Sequence, residues 1–220
     1  ANFDSLSGNA CVLHPNTVWT VTIDHETNLV IWDASNGKKL HTLKDHAYEI
    51  DAFAVSPDGK WMVTTGQDSD AGEMILWNAG NGRKTQTLPI PGYFEYIVCA
   101  CAISPDGSWG ITASLDRTFK IWDIQTGQEL RTLAVPDQRG NISCTCAINP
   151  TGKQIVSTIN NISLGLWNAS NGEILHTFFG HKDHVKDYAI SPDGNWIASV
   201  SQDRTLILWN AASGERCCTL

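Results

Sequence analysis

Basic side chains are scarce in this 220-residue sequence, where 15 lysines and arginines stand against 23 aspartates and glutamates and give a formal net charge of −8. Proteins that bind nucleic acid directly use clusters of basic side chains to neutralise phosphates. No such basic stripe occurs, so we expect no nucleic-acid ligand. An apolar run of about 18 residues, as a helix needs to cross a bilayer, is also absent. We therefore expect no membrane partner.

The sequence also lacks the charged and then apolar opening of a secretory signal peptide. Its seven cysteines are an odd number and lie mostly in apolar, strand-like surroundings, which does not fit a disulfide framework. Reduced thiols in a cytoplasmic protein fit better. Because the first residue is not methionine and the last residues fall on a repeat boundary, we expect a segment of a longer polypeptide.

Sequence signatures of catalysis and of cofactor binding are missing as well. No glycine-rich phosphate loop occurs, because the glycines stand at turn positions such as Gly59, Gly107 and Gly194. No pair of carboxylates is placed for acid–base chemistry. The sequence therefore predicts no enzyme, no catalytic residue and no cofactor.

What the sequence does contain is a repeat of nearly constant length. Its clearest copy runs from Gly180-His181 through the turn Ser191-Pro192-Asp193-Gly194 and Asp203 to Trp209. Tryptophans at the same place in each copy are 45, 45, 45 and 42 residues apart: Trp32, Trp77, Trp122, Trp167 and Trp209. A period of 40–45 residues that ends in a Trp-Asp-like pair is typical of one four-stranded propeller blade per repeat.

By these tryptophans and turns the whole chain resembles the WD-repeat β-propeller family. The resemblance implies an all-β fold of five four-stranded antiparallel blades, forming either a closed five-bladed ring or part of a larger ring. It implies one domain over 1–220, with repeats at about 1–43, 44–88, 89–133, 134–178 and 179–220.

In that family, a His, a Ser or Thr, an Asp and the Trp form a buried hydrogen-bonded tetrad within a blade. The resemblance places one tetrad at His46, Thr65, Asp68 and Trp77, and the other at His181, Ser199 or alternatively Ser201, Asp203 and Trp209. A His, Ser and Asp together also suggest nucleophilic catalysis. We favour the structural interpretation, because the pattern recurs in successive repeats whereas a catalytic site is needed once. The third and fourth repeats lack the His, and we expect their lead-in loops to be less firmly held.

Three motifs have the residue types of a metal site. His181-x-x-His184 has too few convergent ligands for zinc. Cys99-x-Cys101 and Cys144-x-Cys146 have one residue between their thiols and read better as alternating strand positions. The acidic stretch 68–73 lacks the twelve-residue arrangement of a calcium loop. We expect no bound metal.

Partners of WD-repeat proteins often dock where the lead-in loops and the turns between second and third strands emerge. By resemblance, this candidate partner-binding face holds His25, Asp51, Gln67, Cys99, Leu115, Cys144, Asn160, Lys186 and Gln202. Tyr93, Phe94 and Tyr96 are added because they stand in a loop that the repeat does not explain, and tyrosine favours interfaces. The alternatives are ordinary solvated loops and, for the aromatics, side chains that cap a blade.

These residues predict a non-catalytic scaffold or sensor that binds protein partners. The turns and Thr-Leu strand ends are similar to those of propellers attached to signalling ATPases of the STAND class. Two alternatives remain open: a structural spacer within a large complex, and a propeller enzyme with a site facing the central channel.

Overall fold

The computed structural model describes residues 12–13, 19–24, 28–46, 50–56, 58–67, 72–90, 98–114, 116–135 and 145–220. For residues 12, 13, 67, 89, 90 and 99 it describes the backbone alone. All regular elements in these ranges are β-strands, and twenty strands form five antiparallel four-stranded sheets. In every sheet the strands lie side by side in chain order. The expected all-β fold of five four-stranded sheets is confirmed.

The first two sheets are made by the first eight strands. The strands of sheet 1 are β1 (Val12–Leu13), β2 (Trp19–Ile23), β3 (Leu29–Asp33) and β4 (Lys39–Leu43). The strands of sheet 2 are β5 (Ile50–Val55), β6 (Trp61–Gln67), β7 (Gly72–Asn78) and β8 (Arg83–Ile90).

The remaining three sheets follow the same plan. The strands of sheet 3 are β9 (Val98–Ile103), β10 (Trp109–Ser114), β11 (Thr118–Asp123) and β12 (Glu129–Ala134). The strands of sheet 4 are β13 (Cys146–Ile148), β14 (Gln154–Asn160), β15 (Ser163–Asn168) and β16 (Ile174–Phe179). The strands of sheet 5 are β17 (Val185–Ile190), β18 (Trp196–Ser201), β19 (Leu206–Asn210) and β20 (Arg216–Thr219).

The turn between the first and second strands shows why the repeated Ser-Pro-Asp-Gly sequence is needed. In sheet 2 the Ser56 hydroxyl donates to Asp58 at 2.6 Å and accepts the backbone N–H of Trp61 at 2.9 Å. Gly59 closes the turn with a bond from its N–H to the Ser56 carbonyl, at a φ of 68°. Only glycine adopts this left-handed conformation without a steric cost. The turn is thereby locked before the second strand begins.

Apolar side chains are buried between consecutive sheets rather than within one sheet. Successive residues of a strand point to opposite faces, so each sheet has two different faces. We call the face that carries the repeated tryptophan the indole face, and the opposite one the aliphatic face. In sheet 4 the indole face includes Ile155 and Trp167, and the aliphatic face includes Val156, Leu164 and Leu166.

Each hydrophobic cluster joins the aliphatic face of one sheet to the indole face of the next. Trp167 packs on Ile111 and Phe119 of sheet 3, and Trp209 packs on Val156 and Leu166 of sheet 4. Sheets 1 and 2 and sheets 2 and 3 are joined in the same way. Helices long and apolar enough to span a bilayer do not occur in the described ranges.

Candidate functional site

Sheet 5 brings His181, Ser199, Asp203 and Trp209 into one hydrogen-bonded chain. The indole N–H of Trp209 donates to Ser199 Oγ at 2.8 Å, and Ser199 Oγ lies 2.8 Å from His181 Nε2. His181 Nδ1 lies 3.0 Å from Asp203 Oδ2. Because an indole only donates and a carboxylate only accepts, the serine donates to Nε2 and Nδ1–H donates to the carboxylate. In this arrangement each polar side-chain atom of the hydrogen-bonded chain has a hydrogen-bond partner.

Asp203 connects this tetrad to the backbone around it. Its Oδ2 also accepts the N–H of Lys182 at 2.8 Å, and its Oδ1 accepts from both the N–H and the hydroxyl of Thr205. Burial disfavours ionisation of this carboxyl, but the bonds from Thr205, Lys182 and His181 outweigh burial and hold the pKa of Asp203 well below its ordinary value. The carboxylate thus fixes the lead-in segment 180–184 to the turn of its own sheet.

In sheet 2 the structure corrects the predicted tetrad at one position. The indole N–H of Trp77 donates to Thr64 Oγ1 at 2.7 Å, and the same hydroxyl contacts His46 Nε2. Thr65 points to the opposite face, and its hydroxyl is 3.4 Å from the Ala52 carbonyl. Thr65 is therefore the wrong residue, because alternation along β6 turns it away from the indole. His46 Nδ1 bonds Glu73 at 2.9 Å, and the predicted partner, Asp68, lies outside the described residues.

The other three sheets keep the indole bond without a histidine. The Trp32, Trp122 and Trp167 side chains donate to hydroxyls of the second strand at 2.7, 2.9 and 2.8 Å. In sheet 4, Asn161 Oδ1 and Ser163 Oγ are buried and have no hydrogen-bond partner in the structure as described. Their counterparts in sheet 5 are Asp203 and Thr205, which bond the histidine. The lead-in loops of sheets 3 and 4, which we expect to be less firmly held, fall in 91–97 and 136–144, outside the described ranges.

The tetrads offer a substrate no access to a nucleophile. Ser199 is fully buried, and its hydroxyl already bonds both the indole and the imidazole. The thiols of Cys101 and Cys146 are equally unsuited to attack. Burial raises the pKa of Cys146 to about 12, and burial together with the neighbouring Cys146 raises the pKa of Cys101 well above its ordinary value. Thiols become nucleophiles as thiolates, which these environments disfavour.

In the described part of the chain, few side chains are placed to bind a metal or to act as an acid or base. No cluster of three or more His, Cys, Asp or Glu side chains that could hold an ion occurs there. His184 of the His-x-x-His motif bonds its neighbour Asp183 at 2.8 Å. A groove of about 800 Å³ between sheets 3 and 4 is lined by Trp109, Leu130 and other residues, without a carboxylate, a histidine or a thiol.

The candidate partner-binding face is best described where sheets 4 and 5 meet. The segment 180–184 crosses from one sheet to the other and bonds the turns of both. Val185 N–H donates to the Asn161 carbonyl at 2.7 Å, and Gln202 N–H donates to the His184 carbonyl at 2.8 Å. The Ser201 hydroxyl adds a bond of 2.8 Å to the Asp183 carbonyl. These bonds form a firmly held surface at this end of the sheets.

Four predicted members of the face have described side chains. Lys186 and Gln202 are exposed at the end of sheet 5, Asn160 ends β14, and Asp51 is exposed on β5. Of Gln67 and Cys99 only the backbone is described. The remaining predicted members lie outside the described residues: His25, Tyr93, Phe94, Tyr96, Leu115 and Cys144. The structure therefore brings Asn160, Lys186 and Gln202 to one end of two adjacent sheets, and leaves Asp51 on another sheet.

Two apolar side chains at this end were not predicted. Phe179 is 70% exposed and Ile162 is 42% exposed. Phe179 pairs with Ser163 in the β15–β16 register, so it lies one residue from Ile162 at the end of sheet 4. The sequence contained a signal for this surface. Ile162 stands at the turn position that is arginine in sheets 3 and 5, Arg117 and Arg204.

The sequence profile of the WD domain, G-beta repeat family matches residues 37–78, 82–123 and 172–210, more than half of the chain. The chain is also similar to the Centriole proteome protein 16 of Chlamydomonas reinhardtii, with 38% identity over 48 residues. It is similar to the Eukaryotic translation initiation factor 3 subunit I of Bombyx mori, with 38% identity over 53 residues. These matches cover 22% and 24% of this chain, but only 2% and 16% of the two relatives.

Proposed function

The chain belongs to the WD-repeat family, whose repeats serve as protein-interaction scaffolds, and we propose that it binds a protein partner at the Phe179 end of sheets 4 and 5. The observation that carries this proposal is the 70% exposure of the Phe179 side chain beside Ile162. Large apolar side chains exposed together and surrounded by polar groups are typical of protein-binding surfaces. We expect Phe179 to be the anchor of the interface.

The surroundings of Phe179 fit an anchor residue. The next residues along the chain, Gly180 and His181, begin the segment that the tetrad and Asp203 hold in place. Because this backbone is already fixed, binding costs less conformational entropy than it would for a mobile loop. Exposed Lys182, Lys186 and Asp187 supply a polar rim of both charges, and we expect the partner to present a complementary polar rim around an apolar group.

The acidic net charge and the burial of the tetrads support two further parts of the proposal, the kind of ligand and the absence of catalysis. A net charge of −8 without a basic stripe disfavours nucleic acid as the ligand. The hydroxyls of the tetrads, Thr64 and Ser199, are fully buried, which disfavours catalysis, so we propose a non-catalytic module. A sensor role in a signalling protein and a place in the cytoplasm belong to this proposal as well.

A comparison of variants tests the binding surface. The chain is immobilised as wild type, as Phe179→Ser and as Leu130→Ser, and retained proteins from a cell extract are identified by mass spectrometry. Leu130 is the matched control, because it is 55% exposed on the outer strand of sheet 3. We expect a partner that Phe179→Ser loses and Leu130→Ser keeps. Thermal melts verify that both variants are folded.

The second candidate function is a structural spacer within a large assembly. One relative is by its name a subunit of a larger factor, which favours this alternative. A spacer would depend on the sheets and not on a particular exposed side chain. Equal retention of every protein by wild type and by Phe179→Ser would therefore reject the proposed interface and favour the spacer.

A further inference from the structure

The groove of about 800 Å³ between sheets 3 and 4 lies at the end of the sheets opposite to Phe179. It is bordered by Gln154, where β14 begins, and by Asn168, where β15 ends. Along β16, the lining residue Leu175 and Phe179 are about 13 Å apart, since a strand advances roughly 3.3 Å per residue. A volume of this size is typical of ligand sites and has room for several residues of a peptide.

Two exposed leucines flank the groove, one on the outer strand of each sheet. Leu130 of β12 is 55% exposed and Leu175 of β16 is 40% exposed. Both stand eight residues after the repeated tryptophan of their sheet. In sheets 1, 2 and 5 the same position is occupied by Leu40, Thr85 and Cys217. Leucines therefore stand on both sides only where sheet 3 meets sheet 4.

The floor of the groove is apolar as well. Trp109 and Ile121 lie on the aliphatic face of sheet 3 and line the groove from below. Ile121 is buried, whereas Trp109 is only half-buried. An indole that remains partly open between two leucines offers a large apolar contact to a bound side chain.

The charged side chains among the described lining residues are both positive, Lys153 and Arg131, and both are exposed. Arg131 donates to the Asn171 and Ser170 carbonyls at 2.7 Å each. These acceptors orient the guanidinium but do not neutralise its charge, and it has further N–H groups for a ligand. The acidic residue of this hairpin, Glu173, accepts from Asn171 Nδ2 at 2.7 Å and does not line the groove.

The charge of Lys153 is unpaired because the turn of sheet 4 lacks the usual aspartate. In sheet 2 the lysine at the same position, Lys60, lies 3.1 Å from Asp58 of its own turn. In sheet 4 that aspartate is replaced by Thr151, whose hydroxyl donates to Asn149 at 3.1 Å. The described ion pairs of lysine involve other residues, so no described carboxylate neutralises Lys153.

We propose that this groove binds a short segment of a partner protein in which a carboxylate stands beside large apolar side chains. The carboxylate would be attracted by Lys153 and Arg131, and an apolar side chain would be covered by Leu130, Leu175 and Trp109. Opposite charges at an interface select the partner, and buried apolar contacts supply most of the affinity. A nucleic acid would bring phosphates but no side chains for the leucines, so a peptide fits better.

Selection from a phage-displayed library of random dodecapeptides tests the kind of ligand. The library is selected in parallel on the wild-type chain and on Lys153→Glu. We expect the wild type to enrich peptides in which aspartate or glutamate lies next to leucine, isoleucine or an aromatic residue. Lys153→Glu should not enrich them. The proposal is overturned if such peptides are not enriched on the wild type, or if both proteins enrich the same ones.

Fluorescence anisotropy with the most enriched peptide, synthesised with a label, tests the residues of the groove. Lys153→Glu should raise the Kd at least about tenfold, whereas Lys60→Glu makes the same charge change at the equivalent turn of sheet 2 and should leave it unchanged. Leu175→Ser should also raise the Kd about tenfold or more, and Leu40→Ser should not. Thermal melts verify that the four variants are folded. Equal effects of a variant and its control would overturn the proposal.

The groove and the partner site at Phe179 fail separately, because they lie at opposite ends of sheet 4. Phe179→Ser should bind the selected peptide as the wild type does, and Lys153→Glu should keep the partner that Phe179 anchors. In the extract experiment, Leu130→Ser should likewise keep that partner but lose proteins held in the groove. Loss of the peptide in Phe179→Ser, with normal binding in Lys153→Glu, would overturn the groove and support the site at Phe179.

Discussion

The indole N–H of Trp77 bonds the hydroxyl of Thr64 at 2.7 Å, thirteen residues upstream in the chain. In sheet 5 the same bond joins Trp209 to Ser199 across ten residues. The difference of three residues is the acidic insertion between the second and third strands of sheet 2. Because neighbouring strand residues face opposite sides, a shift of one position from Thr64 to Thr65 reverses the face.

The first prediction therefore contrasts two neighbouring threonines. Thr64→Val should lower the free energy of unfolding by about 1–3 kcal/mol, because a buried indole N–H and His46 lose their partner. Thr65→Val should cost less, since its hydroxyl makes only the 3.4 Å contact to Ala52. Urea unfolding of both variants and the wild type measures the difference. A larger loss for Thr65→Val would restore the original assignment of the tetrad.

The second prediction concerns a buried hydroxyl that does not form a hydrogen bond. In the described structure, Ser163 Oγ is buried without a partner, and its counterpart Thr205 bonds Asp203 at 2.5 Å and His181 at 3.1 Å. Ser163→Ala should leave stability unchanged or raise it by up to about 1 kcal/mol, because an unpaired polar group is removed from the interior. Thr205→Ala should lower it by about 1 kcal/mol.

The same urea experiment gives both values, and the two substitutions serve as controls for each other. Equal losses for the two variants would show that Ser163 has a partner after all. Such a result would also remove the distinction between sheets 4 and 5 that the missing histidine creates.

The third prediction concerns the protonation of His46, whose side chain is buried in the tetrad of sheet 2. Burial lowers the pKa of His46 from 6.5, although Glu73 favours the protonated ring. The native state then binds fewer protons than the unfolded state, so acid favours unfolding. The stability due to neutral His46 should be fully present above pH 6.5 and should decline as pH falls through the lower native pKa.

Urea unfolding at several pH values between 8 and 5 tests this dependence. We expect a shallower loss of stability on acidification in His46→Gln than in the wild type. His184→Gln is the control, because His184 is exposed and lies outside the tetrads. An identical pH slope in wild type and His46→Gln would contradict the prediction.

The fold was largely predictable from the sequence, but the site only in part. Tryptophan spacing and Ser-Pro-Asp-Gly turns predict five four-stranded sheets, because both features are fixed by backbone geometry that each repeat needs. The choice between Thr64 and Thr65 depended on counting the insertion back from Trp77. Partial exposure of Phe179 and Ile162 could not be read from periodicity, since it depends on which neighbouring sheet covers each end.

The fourth prediction compares two turn glycines that the sequence makes look identical. Both follow an asparagine, and both have a positive φ, 70° for Gly37 and 66° for Gly82. An alanine at either position meets the same left-handed strain, about 1–2 kcal/mol. Only at Gly82 would the new Cβ also meet a neighbour, His41, whose own Cβ would be 2.7 Å away.

Because His41 Cβ is attached directly to the backbone of β4, it cannot rotate out of the way. Gly82→Ala should therefore destabilise the protein more than Gly37→Ala, by a further ~1–3 kcal/mol. Urea unfolding of both variants and the wild type measures both losses. Equal losses would mean that the turn of sheet 2 does not rest on sheet 1.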